Sequence, residues 1–163
     1  MNLILAISLL INIGLGIQYY QHTKQANITL TAIANRTLFH IKGVIDSTTN
    51  PDADWDNTSF KVRVANEIRN AELVASLAEV VGNVKNDNLS EIQYNLNIFA
   101  GILSSQITME LESLGSEMPL TEKDRKTLIK LGRSLQQAGF TQQVREDNGE
   151  DFKNSLKKFI SNY

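Results

Sequence analysis

The chain has no cysteine, two prolines and two histidines in 163 residues. The missing cysteine excludes disulfides, thiolate metal sites and lipid attachment through sulfur, without fixing a compartment. The first proline is Pro51, so no proline breaks a helix between Met1 and Asn50. The histidines, His22 and His40, stand about 27 Å apart along a continuous helix, too far to share a metal. No Gly-rich phosphate loop, H-E-x-x-H pair or G-x-S-x-G nucleophile motif occurs. Neither charge sign dominates: 16 Lys and Arg face 18 Asp and Glu, a net of -2. That balance argues against a dedicated nucleic-acid binder.

What is present averages to an ordinary soluble composition, 42% apolar and 21% charged. The averages hide two segregations. The first 23 residues carry no charged side chain. Charge sign is also sorted: residues 1–43 sum to +3, residues 44–120 to -8 and residues 121–163 to +3.

Leu3 to Ile17 is apolar apart from Ser8, Asn12 and two glycines. As a helix, residues 1–18 span roughly 27 Å, against a hydrocarbon core of ~30 Å. Tyr19 and Tyr20 follow where an interfacial aromatic belt would sit, and Lys24 comes one turn later. The segment 1–20 therefore reads as a single transmembrane anchor. A cleaved signal fits less well, because no Lys or Arg precedes the apolar run. In addition, the only A-x-A triplet, Ala32-Ile33-Ala34, lies far beyond it. A buried core helix is the third reading. The flank after the span holds Lys24, Arg36 and Lys42 and no acid, which leans toward a cytoplasmic domain with the N-terminus outside. The Asn- and Thr-rich flank suits the opposite side equally. Ser8, Asn12 and Gly16 share one helix face and form a candidate self-association face in lipid.

Residues 21–50 are expected to continue as a juxtamembrane stalk helix, with Ile28, Leu30, Ile33, Ala34, Leu38, Ile41, Val44 and Ile45 at helical spacing. Residues 51–163 are expected to form a helical bundle that packs with the stalk. A second helix is expected from Thr58 to Lys85, capped by Asp56, Asn57 or Thr58. A third begins at a Ser90–Gln93 capping box, with Leu89 and Tyr94 as a hydrophobic staple, and stops at Gly115 and Pro119. A fourth starts at Thr121 with Asp124 completing its box and ends at Gly139. After an Asp147-Asn-Gly149 turn, a short helix presents Phe152, Leu156, Phe159 and Ile160. The expected fold is all-α: an anchor, a stalk and an antiparallel bundle of about four helices plus a short C-terminal one.

Few residues suggest chemistry. Asp52, Asp54 and Asp56 match positions 1, 3 and 5 of a calcium-binding loop. Asn57 then replaces the glycine, and Arg63, which would repel the ion, stands where a bidentate Glu is needed, so the acids read rather as a turn favouring a helix N-terminus. Trp55, the only Trp, is either packed over the bundle end or a partner contact. Lys123, Arg125, Lys126, Lys130 and Arg133 mark the fourth helix, with Lys153, Lys157 and Lys158 on the last. They form either a docking face for an anionic membrane or acidic partner, or a solvated face. Asn27, Asn35, Asn57 and Asn88 open N-x-S/T triplets.

No cofactor, metal or catalytic constellation is expected. The leading function is a membrane-tethered bundle acting through protein–protein contacts, as scaffold, adaptor or regulatory subunit. Self-association or a separate protein partner would serve equally. The alternative is an extracytoplasmic sensor that binds a ligand between helices. An enzyme with a spatially assembled site ranks third.

Overall fold

The computed structural model describes the backbone of residues 2–82, 84–114, 120–140, 144 and 149–163. Side chains are described within these from residue 12 onward, except 106–114. The described residues are all-helical: α1 (Asn2–Thr48), α2 (Thr58–Ser76), α3 (Asp87–Leu114), α4 (Glu122–Ala138) and α5 (Glu150–Asn162). A 3-10 turn, Leu77–Val80, follows α2.

Among the described residues no helix is long and apolar enough to cross a membrane. The transmembrane part of the expected architecture therefore has no support there. Residues 1–11, most of the expected span, lie outside the described side chains.

The 47 residues of α1 form one helix, about 70 Å long. From Leu30 onward it is a core element. Leu30, Ala34, Leu38, Ile41 and Val44 are buried at 3–4 spacing against α2 and α4. It ends where Ser47-Thr-Thr-Asn-Pro51 predicts. Thr48 and Thr49 donate their hydroxyls back to the carbonyls of Val44 and Ile45, at 2.7 and 2.8 Å. Those bonds occupy acceptors in the last turn of the helix.

The amide of Phe60 donates to Asn57 Oδ1 at 3.1 Å, capping α2. Val64, Ile68, Ala71, Ala75 and Ala78 are buried. The helix does not reach Lys85: it tightens after Ser76 and Val81 is extended. Val80-Val81-Gly82 is a run of weak helix formers. In addition, Gln93 Nε2 reaches across from α3 and donates to the carbonyls of Ala78 and Val81, at 2.8 and 2.9 Å. A side chain of the next helix thus occupies acceptors that further α2 turns would have used.

The same bonds explain the start of α3. Gln93 is committed to that turn, and no Ser90–Gln93 box forms. Asn86 caps instead, its Oδ1 accepting from the amide of Leu89 at 3.2 Å. Leu89 is buried while Tyr94 is exposed, so the expected staple is absent. Ile92, Leu96, Phe99 and Leu103 line the core face. The side chains of residues 106–114 lie outside the described ones, and the expected stops Gly115 and Pro119 outside the described residues.

The box of α4 forms as read from sequence: Thr121 and Asp124 exchange side-chain bonds with each other's amides, at 3.2 and 3.1 Å. Gly139 closes the helix at φ +87°, a conformation costly for residues with a Cβ. Phe140 and α5 beyond it close the core. Phe99 packs edge-on to Phe159 at 5.3 Å, and Phe140 to Phe152 at 5.7 Å. Gly132 sets the approach of α4 to the end of α1. A Cβ there would press into Thr48 and lie 3.2 Å from Thr49 Cγ2.

Candidate functional site

The folded chain has two ends. At one, the loop 49–57 joins α1 to α2 beside the start of α4. At the other, the 3-10 turn lies against residues 19–29 of α1.

At the first end, Trp55 is 9% exposed and meets Phe60 edge-on at 5.2 Å. It packs inward, the first of the two readings its sequence position offers. Asp56 accepts from Arg125 Nη2, tying the loop to α4. Asp52 and Asp54 are exposed and share a hollow with Asn57, Phe60 and Arg63. Among the described residues no three His, Cys, Asp or Glu side chains are grouped to hold a metal. The calcium candidate therefore has no ligand cluster, and Arg125 and Arg63 supply positive charge where a cation would need acids.

The basic residues divide. Lys123, Lys126, Lys130 and Arg133 are exposed at 3–4 spacing on one face of α4, with Lys126 paired to Glu122 at 2.6 Å. Two adjoining hollows run along this face, walled by Lys126 and Lys130 and by Ile129, Ser134 and Gln137. Arg125, part of the same sequence cluster, is turned to Asp56 instead. On α5, Lys153 is buried. It donates to Asn88 Oδ1 at 2.8 Å and pairs with Glu150 and Glu91 at 2.7 and 3.3 Å. Lys157 also reaches Glu91, at 2.7 Å. These two lysines belong to an α3–α5 network and not to a free basic face. The hydrogen bonds from Lys157 and Lys153 hold the Glu91 carboxyl below its ordinary range, and that from Lys153 does the same for Glu150. Glu150 in turn holds the Lys153 ammonium above its usual value.

The candidate association face is described only in part. Ser8 lies outside the described side chains, whereas Asn12 and Gly16 are exposed. A Cβ on Gly16 would meet nothing within 4 Å, so the described part of this face is open.

Three of the four N-x-S/T amides do structural work. Asn57 caps α2 and Asn88 accepts from Lys153. Asn35 donates to the carbonyl of Val144 and accepts from its amide, both at 2.8 Å.

One pairing has little sequence signal. His40 Nδ1 lies 2.8 Å from Glu67 Oε2, joining α1 to α2. Its trace in the sequence is Gly43, where a Cβ would collide with the Glu67 carboxylate. His40 is buried, and the hollow that His22 lines contains Tyr19, Thr23 and Val80 and no carboxylate. The pair is thus an interhelical clamp, and among the described residues no three His, Cys, Asp or Glu side chains are grouped beside it. Comparison with family models, with curated proteins and with solved structures finds no match for this chain.

Proposed function

We propose that the chain is a membrane-tethered helical bundle that works through protein contacts, as a scaffold, adaptor or regulatory subunit. One observation carries the reading. A single unbroken helix, Asn2–Thr48, has an uncharged apolar segment at its start and is built into a packed core from Leu30 onward. An apolar segment of about 18 residues has little reason to extend from a bundle into water, because each buried CH2 is worth roughly 0.8 kcal/mol. The Lys24, Arg36 and Lys42 flank favours the cytoplasmic side for the bundle.

In this reading the working surface is the basic face of α4, and its partner is an acidic protein surface. Gly132 abuts Thr48, thirty residues beyond Gln18, so the face stands about 45 Å from the end of the span. That reach favours an acidic protein over the lipid headgroups of the same membrane, which lie several Debye lengths away.

Fractionation tests the tether. The full chain is expected to stay with membranes through an alkaline carbonate wash. Release into the supernatant would reject the reading.

A further inference from the structure

Resting on the reading of the α4 face as the working surface, we propose that its acidic partner also carries one apolar side chain, which enters a hollow between α1 and the C-terminal end of α4. The hollow measures about 340 Å3 and is lined by Lys42, Ile45 and Asp46 of α1 and by Gln136, Gly139 and Phe140. Its floor is apolar. Ile45 is partly buried, and Phe140 keeps only 5% of its surface, tilted against Phe99 at 6.5 Å and edge-on to Phe152 at 5.7 Å. Gly139 ends α4 at φ +87° and turns the chain inward to Phe140. The carbonyl of Gly139 accepts from Ser155 Oγ at 3.0 Å, which fixes this turn onto α5.

The basic row leads to this hollow. Lys123, Lys126, Lys130 and Arg133 run along α4, and Gln136 stands about one turn beyond Arg133, also exposed. From Lys123 to Gln136 the helix rises about 20 Å. The charge pattern orders what can lie on it. Residues 134–140 carry no charge, and the partial negative charge of a helix C-terminus disfavours a carboxylate there. Lys42 and Asp46, four residues apart on α1, leave the rim neutral in sum. Carboxylates of a partner are thus attracted over residues 123–133, and an uncharged group is favoured beyond them.

Ligand pockets run from roughly 300 to 1,000 Å3, so a hollow of about 340 Å3 suits a single aliphatic or aromatic side chain. Anchors of that kind carry most of the energy of an interface, whereas exposed charges chiefly steer it and set its register. The exposed bases alone would give a weak, salt-sensitive contact.

Peptide selection provides the test. Random linear peptides of roughly 13–16 residues, long enough to cover about 20 Å as a helix, are selected on the full chain in detergent micelles. The enriched peptides are expected to carry several Asp or Glu and one Leu, Ile, Phe or Trp. Reversing Lys123, Lys126, Lys130 and Arg133 to Glu should abolish binding of such a peptide. Gln136→Phe and Asp46→Phe each fill the hollow from an exposed position, one from α4 and one from α1. Each should weaken binding at least tenfold with thermal unfolding unchanged. Exchanging the peptide's apolar residue for Ser should do the same, and the losses should not add, because both remove one contact. Acidic peptides with no recurring apolar residue, or an affinity unmoved by both filling variants, would overturn the anchor and leave the acidic partner standing. Enrichment of non-acidic peptides or of none, or binding that survives the charge reversal, would overturn both. Displacement of the peptide by soluble inositol phosphates at lower concentration than by the peptide itself would assign the face to lipid headgroups and also overturn both.

Discussion

Asn35 shows how one side chain can hold a backbone far from it in sequence. Its amide makes the two bonds to Val144 that a neighbouring strand would make, and so fastens Val144 onto α1. Asn35→Leu should cost about 1–3 kcal/mol in denaturant unfolding, because two backbone groups lose their partner. Asn35→Asp should cost at least as much, since a carboxylate then faces the Val144 carbonyl. Equal stability of the wild type and Asn35→Asp would show the clasp to be incidental. Gly132 makes the opposite argument, from space. Gly132→Ala should destabilise by about 1–3 kcal/mol and Gly132→Val by more, as α4 is pushed from Thr48. Neither role is legible in the sequence: the bond partners of Asn35 lie 109 residues away, and nothing local distinguishes Gly132 from a tolerated helical glycine. The same holds for His40 and Glu67, whose pairing depends on the bare backbone at Gly43.

At the scale of the element, caps written in adjacent residues were readable: Asn57, Thr121 and Gly139 all act where their types predict. The start of α3 was not, because Asn86 and Ser90 are comparable caps and the choice is made by Gln93 bonding to another helix. Burial of α1 was readable too, and Ile41 now has no exposed surface. Ile41→Asp should lower stability by about 3–5 kcal/mol, as an unpaired charge enters the α1–α2–α4 contact; unchanged thermal unfolding would contradict the packing. The α3–α5 network gives a pH signature. Glu91 and Glu150 are held below the ordinary 4.5, so their pairing stabilises above that value and fades as pH falls through the lower folded one. Lys153 is held above the ordinary 10.5, so its share is full below that value and is lost as pH rises through the higher folded one. The gap in melting temperature between wild type and Lys153→Met should be flat from about pH 6 to 9 and narrow below about pH 4. A gap that persists in strong acid would mean that Lys153 contributes packing alone.

At the scale of the molecule, the charge blocks of +3, -8 and +3 read in sequence are partly consumed inside the fold. Arg125 meets Asp56, and Lys153 and Lys157 meet Glu91. On α4 the row Lys123, Lys126, Lys130 and Arg133 stays exposed, with Lys126 paired to Glu122 of its own helix. Reversing all four to Glu should leave thermal stability within about 1 kcal/mol, since the side chains are exposed. Membrane retention should be unchanged, and capture of an acidic partner by crosslinking should be lost. Capture unaffected by the reversal would move the working surface elsewhere. The class of the fold was legible because helical periodicity is local; the division of basic residues into used and unused was not, because it depends on which helices meet. The tether is the claim on which the rest stands, and cysteine protection measures it most directly. Ile7→Cys, Ile11→Cys and Leu15→Cys should resist an impermeant maleimide in native membranes until detergent is added, while Lys24→Cys reacts at once. Labelling of the three inner sites as fast as Lys24→Cys would contradict the account.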